Sequence, residues 1–272
     1  MKCKQSTREA SKGLDLLLRS LKLPAFVRYH AEIAERAETQ GWAFEAYLQH
    51  LAELEIDERK RRRVDRLRKD SGLPLDKTLS TLEIARLPAA IRRQIPTLAE
   101  GTFARNGENV LAFGLPGRGK THLLCAIGHE LIQRGLKVLF LPAFAVVQRL
   151  LVAKKALALE KELHRLDAFD VVLLDDIGYI QQDREEMEVL FTFLAQRYER
   201  RSVMISSNLV FSQWDRIFKD PLTTAAAIDR IVHHAIILEL AGPSYRSDAA
   251  KHRNAAATTE IATATATTPS DA

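Results

Sequence analysis

The chain has 272 residues, of which 46% are hydrophobic, and its two cysteines, Cys3 and Cys125, lie far apart. This spacing excludes a disulfide framework and favours a reducing cytosol. No apolar run approaches the roughly 20 residues that span a bilayer. We therefore expect a soluble cytoplasmic protein without a membrane partner. Residues 1–100 contain 20 Lys and Arg against 15 Asp and Glu, and this excess equals the whole net charge of +5. The uneven distribution of charge indicates a polyanion-binding appendage on a neutral core.

Residues 1–72 are predicted to form a small all-helical domain. The apolar run 14–23 is broken at Pro24. A second helix is expected from Pro24 to Thr39 with its end near Gly41, and a long third helix from about Trp42 to Ser71.

The third helix carries a run of eight basic residues between positions 59 and 69. Four of them follow an acid by one helical turn, and such pairs offset each other's charge. These pairs are Glu55–Arg59, Asp57–Arg61, Glu58–Arg62 and Asp65–Lys69. The other four are Lys60, Arg63, Arg66 and Arg68. We interpret these four as phosphate contacts to DNA with little sequence preference, and a solvated helix face is the alternative.

Residues 73–108 form a predicted connector, punctuated by Pro74, Pro88 and Pro96. From 109 to 253, short apolar runs alternate with helical patterns, which predicts an α/β domain whose parallel sheet is flanked by helices. Strands are expected near 109–114, 136–141, 170–175, 202–206 and 235–240. The Ala/Thr-rich segment 254–272 lacks apolar periodicity and is expected to be disordered.

A phosphate-binding motif follows the first predicted strand. It matches the pattern G-x-x-x-x-G-K-[ST] at every position, through Gly114, Leu115, Pro116, Gly117, Arg118, Gly119, Lys120 and Thr121. The glycines allow a tight turn whose N–H groups point at an anion, Lys120 reaches the outer phosphates, and the Thr121 hydroxyl suits a magnesium ion. Because a helix is expected directly after it, the motif predicts a nucleotide-phosphate site rather than an ordinary Gly-rich turn.

Two later strands end in polar residues that suit hydrolysis. The apolar run 171–174 leads into Asp175 and Asp176, and ligands bind at the carboxyl edge of parallel sheets. We expect Asp175 to hold magnesium and Asp176 to polarise the attacking water. Asn208, at the end of the next strand, is predicted to hold that water or to sense the terminal phosphate. Plain polar turns are the alternative at both places.

Two arginines near the last strand are candidates for contacts with phosphate. Arg230 is a candidate arginine finger for a neighbouring subunit's nucleotide, and Arg246 for the phosphates of its own or an adjacent site. A structural ion pair is the alternative for each. His233 and His234 look like a metal pair, but no third ligand stands at a suitable spacing, so we interpret them as polar contacts at a helix end.

Together these motifs resemble the IstB family, the ATP-dependent helper proteins of bacterial insertion sequences, and more distantly the DnaC helicase loader. The resemblance covers roughly residues 14–253. Its specific segments are Gly-Glu-Asn-Val (107–110), Gly-Lys-Thr-His (119–122), Leu-Leu-Asp-Asp-Ile-Gly-Tyr (173–179), Arg-Tyr-Glu-Arg (197–200), Ser-Ser-Asn (206–208), Phe-Ser-Gln-Trp (211–214), Ile-Asp-Arg-Ile-Val-His-His (228–234) and Ser-Tyr-Arg (244–246).

The resemblance implies a P-loop AAA+ ATPase core (109–253) with a helical N-terminal DNA-binding domain, and ATP and Mg²⁺ as cofactors. It implies a homo-oligomer with ATP at subunit interfaces, which assembles on double-stranded target DNA and recruits or stimulates a cognate transposase. His122 extends the nucleotide-binding segment. Arg230 matches the family's arginine finger, and Arg246 matches its second sensing arginine.

Two other functions stay open. One is a DnaC-like loader of a replicative helicase on single-stranded DNA, although Trp214 and the His233–His234 pair favour the transposition helper. The other is an ATP-gated DNA-binding adaptor with little hydrolysis. Asp176 stands where many AAA+ proteins have glutamate, and the segment after the last strand is too short for a helical lid. Arg200-Arg201-Ser202 also replaces the family's usual Arg-Gly-Ser.

Overall fold

A computed structural model describes residues 13–179, 184–209 and 228–241. The chain divides into two compact units, Met1–Arg66 and Leu67–Ala272. Arg246, Trp214 and the segment 254–272 lie outside the described residues. In the ranges that are described, no helix combines the length and the apolar character needed to cross a membrane.

Helices form the described part of the first unit. They are α1 (13–20), α2 (Pro24–Gln40) and α3 (Phe44–Ser71), and α3 continues into the second unit. Pro24 begins α2 because a first-turn position needs no N–H donor, and Gly41 ends it with a φ of 64°. The buried Glu55 carboxylate accepts hydrogen bonds from the Ala25 N–H and from Arg59 Nε, both at 2.8 Å. It therefore joins α3 to the first turn of α2.

Short helical elements precede the sheet in the second unit. They are a 3₁₀ turn at Ile84–Arg86, α4 (Ala89–Glu100) and α5 (Thr102–Arg105). The α4 helix continues through Pro96, one of the prolines that punctuate the predicted connector. Its apolar face is buried, and Gly101 stops it in a left-handed conformation with a φ of 74°.

The core of the second unit is a sheet of five described strands in the order β2-β3-β4-β1-β5, and every pairing is parallel. The strands are β1 (Asn109–Phe113), β2 (Val138–Pro142), β3 (Val171–Asp175), β4 (Ser202–Ser207) and β5 (Ala235–Glu239). The helices that follow successive strands are α6 (Lys120–Gln133), α7 (Ala143–Lys155), α8 (Leu159–Asp167), α9 (Arg184–Arg197) and α10, described over 228–232. The predicted parallel sheet flanked by helices is confirmed.

The strand order places polar residues from distant parts of the chain at one edge of the sheet. Strand β4 lies between β3 and β1, with Phe113 opposite Ser207 in the register. All three strands run in the same direction, so their carboxyl ends meet. The residues after β1, β3 and β4 therefore converge.

A buried arginine fixes the loops at the opposite edge. Arg197 is 2% exposed, and its guanidinium donates hydrogen bonds to the carbonyls of Leu166 (3.0 Å), Phe169 (3.0 Å) and Ser202 (2.9 Å). Burial lowers the pKa of Arg197 to about 10, against the attraction of Asp167. The guanidinium therefore holds the segments that precede β3 and β4 together.

Candidate functional site

The loop between β1 and α6 has a backbone that only glycine adopts without strain. Gly117 and Gly119 have φ values of 79° and 82°. At Gly114, with φ at 149°, an added Cβ would stand 2.5 Å from the Leu240 carbonyl oxygen. The α6 helix begins directly at Lys120, so its first turn and the positive end of its dipole face this loop. This is the geometry of an anion site.

The Lys120 ammonium is held in place by hydrogen bonds to three oxygen atoms. The residue is buried, and Nζ donates hydrogen bonds to the carbonyls of Gly114 (2.7 Å) and Leu115 (3.1 Å) and to Asn208 Oδ1 (2.6 Å). Three donors thus meet three acceptors. An incoming phosphate oxygen has to take the place of one of them.

Asp175 is held by two hydroxyl groups. Thr121 Oγ1 and Ser206 Oγ donate hydrogen bonds to the same carboxylate oxygen, Oδ1, at 2.7 Å and 2.6 Å. The Thr121 hydroxyl and the Asp175 carboxylate are hard oxygen ligands of the kind that Mg²⁺ prefers, and they lie side by side at the start of α6. The residues present therefore fit a magnesium ion bound with nucleotide phosphates.

Ser206 is a site residue that sequence reasoning did not single out. Besides its bond to Asp175, its hydroxyl accepts a hydrogen bond from the Asp176 N–H at 2.8 Å. The side chain is 1% exposed. One serine on β4 thus sets the position of both carboxylate residues at the end of β3.

Asn208 connects Lys120 to Asp176. Its Nδ2 donates a hydrogen bond to Asp176 Oδ1 at 2.6 Å, while its Oδ1 accepts the bond from Lys120. Only this orientation of the amide satisfies both neighbours, because a carboxylate accepts and an ammonium donates. Asp176 has a φ of 62°, an uncommon conformation for a residue with a side chain and one that is concentrated at functional sites.

These groups line a cavity of about 240 Å³. Pro116, Gly117, Arg118, Gly119, Lys120, Thr121, His122, Asp176, Ser206 and Asn208 contribute to its walls, together with Lys77, Thr81, Leu82 and Glu83 from the segment before α4. His122 Nε2 lies 3.1 Å from Thr81 Oγ1 and 3.2 Å from the Thr78 carbonyl, so it fastens that segment to α6. The Leu115 side chain is exposed, and that residue contributes its carbonyl.

Arg230, a predicted site residue that the structure describes, does not line this cavity and is exposed on α10. Arg246 lies outside the described residues, so its predicted role stays a prediction. Lys60, Arg63 and Arg66 are exposed on α3, and Arg68 is half-buried.

The acid–base pairing on α3 follows the expected pattern only in part. Glu55–Arg59 and Glu58–Arg62 form at 2.8 Å and 2.7 Å. Arg61, however, pairs with Glu58 rather than with Asp57, so the prediction for that pair is wrong. Glu58 reaches a partner three residues ahead as well as four, since both positions lie on one face of a helix.

The sheet order, the phosphate loop and the paired carboxylates define the class of P-loop proteins with an AAA+ fold. In the same class, the crystal structure of DnaI superposes with a TM-score of 0.52 at 22% identity, over 63% of this chain and 96% of that one.

The chain belongs to the family described as IstB-like ATP binding protein, whose model matches residues 16–255. An insertion-sequence ATP-binding protein of Sinorhizobium fredii (y4iQ/y4nD/y4sD) is 41% identical over 245 residues, which are 88% of this chain and 82% of that protein. The IS21 ATP-binding protein of Pseudomonas aeruginosa is 35% identical over 86% of this chain and 88% of its own length.

Proposed function

We propose that this protein is an ATP-dependent, DNA-binding helper of transposition, which hydrolyses ATP, assembles on target DNA and recruits or stimulates a cognate transposase. The observation that carries the hydrolytic part is the hydrogen-bonded series Lys120–Asn208–Asp176, which links the phosphate loop to a carboxylate at the sheet edge. The names of its relatives support the link to insertion sequences.

In the proposed reaction, the ATP phosphates lie against the first turn of α6 and Lys120 turns from the Asn208 amide to a phosphate oxygen. Asn208 is then free to orient the attacking water. Asp176 polarises that water, which lies between the carboxylate and the terminal phosphate. A magnesium ion bound through Thr121 and Asp175 would neutralise charge on the phosphates.

The proposed assembly uses residues that lie away from the cavity. Arg230, exposed on α10, would reach the terminal phosphate bound by a neighbouring copy of the chain. The basic residues of α3 would contact the phosphates of double-stranded DNA. ATP binding would then control assembly on DNA, because each nucleotide lies between two subunits.

Turnover and binding measured together test this proposal. ATP binding and hydrolysis would be compared, with and without duplex DNA, for the wild type, Lys120→Ala and Asp176→Asn. We expect Lys120→Ala to lose ATP binding. Asp176→Asn should keep ATP binding, because its side-chain oxygen still accepts from Asn208, but lose at least about a hundredfold in kcat, since general-base groups contribute roughly 10²–10⁴.

The outcomes separate the alternatives. Wild-type turnover by Asp176→Asn would remove that residue from the mechanism. ATP-dependent DNA binding with negligible turnover in the wild type would favour the ATP-gated adaptor. Capture of a replicative helicase rather than a cognate transposase would favour the loader.

A further inference from the structure

Three side chains of the kind that bind metals cluster outside the nucleotide cavity. Glu199 lies in the turn between α9 and β4, and His233 and His234 lie in the turn between α10 and β5. One nitrogen of each imidazole and one Glu199 carboxylate oxygen all lie within 4.8 Å of one another. The sequence shows no third ligand at a suitable spacing, but the fold brings a candidate, Glu199, from a distant part of the sequence.

The spacing within the cluster is close to that of a coordination sphere. Glu199 Oε1 lies 3.5 Å from His234 Nε2. The centroids of the two imidazole rings are 4.1 Å apart. Ligand atoms about 2.0–2.2 Å from a zinc ion in tetrahedral geometry lie roughly 3.3–3.6 Å from each other, so small side-chain rotations bring all three onto one ion.

The backbone that carries these ligands is fixed by Asn109. Its N–H donates to the His234 carbonyl (2.9 Å), and its Nδ2 donates to the Ile231 carbonyl (3.0 Å). Its Oδ1 accepts from the Val203 N–H at the start of β4 (3.0 Å). Asn109 thus joins α10 and the start of β4, the elements next to the two ligand-bearing turns, to β1.

Two further contacts restrict Glu199 and His233. The backbone at Gly107 approaches Glu199 so closely that an added Cβ would stand 2.9 Å from the Glu199 carbonyl carbon. Glu199 itself has a left-handed φ of 56°. The Tyr198 hydroxyl lies 3.0 Å from His233 Nδ1 and fixes the orientation of that ring.

We propose that Glu199, His233 and His234 bind a divalent transition-metal ion, with Zn²⁺ as the best fit. Two imidazoles and one carboxylate make up a known zinc ligand set, which leaves a fourth position for water. Imidazole nitrogens disfavour Mg²⁺, which requires oxygen ligands. All three residues are exposed, so an ion enters from solvent without any opening of the fold.

The site fastens the segment that carries Arg230. Arg230 precedes His233 by one helical turn on α10, and the bound ion would tie the end of this helix to the turn before β4. Zinc binding does not rest on the proposed function, whereas its effect on Arg230 does.

The test is a titration of the full chain, without a polyhistidine tag, with Zn²⁺ and with Co²⁺. Calorimetry measures the binding of Zn²⁺, and visible absorption measures the binding of Co²⁺. We expect one Zn²⁺ per chain, no comparable binding of Mg²⁺, and a higher melting temperature with Zn²⁺. Glu199→Gln and His234→Asn should each weaken binding by at least about tenfold, because each removes a ligand. Lys120→Ala should bind Zn²⁺ like the wild type, since Lys120 belongs to the nucleotide cavity.

His164→Asn is the matched control. His164 is an exposed histidine that lies 3.8 Å from Glu160 on α8, outside the three-residue cluster, so its replacement should leave the zinc affinity unchanged. Equal zinc affinity in the wild type, Glu199→Gln and His234→Asn, with all three chains folded by circular dichroism, would overturn the assignment. Equal affinity for Mg²⁺ and Zn²⁺ would overturn the choice of metal.

Discussion

Ser206 shows how much of the site depends on a single hydroxyl group. It donates a hydrogen bond to Asp175 and accepts one from the Asp176 backbone, so it fixes the proposed metal-binding residue relative to the proposed water-polarising residue. The bond to Asp175 is charge-assisted, and such bonds are about twice as strong as neutral ones.

Replacing Ser206 with alanine should lower kcat for ATP about 10- to 100-fold with little change in KM. The range follows from about 1.5–3 kcal/mol for a hydrogen bond to a charged group, at about 1.36 kcal/mol per decade of rate. Steady-state ATPase kinetics measure it. Ser207→Ala is the matched control, because the neighbouring buried hydroxyl bonds only to the Leu209 backbone within the described residues. Equal losses in the two variants would contradict the role given to Ser206.

At the scale of elements, the charges on α3 bear on whether this helix contacts DNA phosphates or is a solvated surface. Arg59, Arg61 and Arg62 pair with Glu55 or Glu58, which leaves their charge partly balanced along the helix. The basic run continues towards the end of α3 through Arg63, Arg66 and Arg68. The last turn of the helix contains Arg68 and Lys69. The pattern favours phosphate contact near this end.

Replacing Arg63, Arg66 and Arg68 together with alanine should weaken binding to duplex DNA and flatten its salt dependence. Each lost phosphate contact reduces the slope of log K against log salt by about 0.9, so three contacts correspond to roughly 2.7. Fluorescence anisotropy at several salt concentrations measures the slope. The control is Arg61→Ala with Arg62→Ala, which removes two cations that share Glu58. An unchanged slope in the triple variant would show that these arginines do not contact DNA and that this face of α3 is a solvated surface.

Some elements of the fold can be predicted from the amino-acid sequence, whereas their arrangement in the sheet cannot. The phosphate loop and the strands were predictable because a complete motif and short apolar runs are local signals. The position of β4 between β3 and β1 was not predictable, since five apolar runs of similar length do not reveal the order of the strands in the sheet. Ser206 gained its role only from that order. Glu199 was missed for the same reason, because its histidine partners lie beyond β4 in sequence and approach it only through the fold.

At the scale of the whole molecule, the proposed role of Arg230 implies that one chain holds only part of the catalytic site. It is exposed and does not line the cavity of its own chain. An arginine finger supplied by another subunit accounts for roughly 10³–10⁵ in rate, so an isolated chain should turn over slowly.

Mixing two inactive variants tests this arrangement. Arg230→Ala and Lys120→Ala should each lose nearly all ATPase activity, yet an equal mixture should recover about a quarter of the wild-type rate, since about one interface in four joins an intact Lys120 to an intact Arg230. The rate would be measured after subunit exchange, with duplex DNA present. A mixture no more active than its components would show that Arg230 does not act between subunits, and normal turnover by Arg230→Ala alone would exclude it as a finger.

The pairing of β1 has a consequence for the order of synthesis. Val110 of this strand lies opposite Met204 in β4 and Ile236 in β5, and both neighbours come much later in the chain. At about 5–20 residues per second, the ribosome needs roughly 6–25 s to go from Phe113 to Leu240. Both edges of this apolar strand stay open until β4 is made, and the edge that pairs with β5 stays open for the whole interval, along with the loop that closes against Leu240. The nucleotide-binding loop is therefore complete only after Leu240 has been made, and until then β1 is an apolar segment that chaperones would shield.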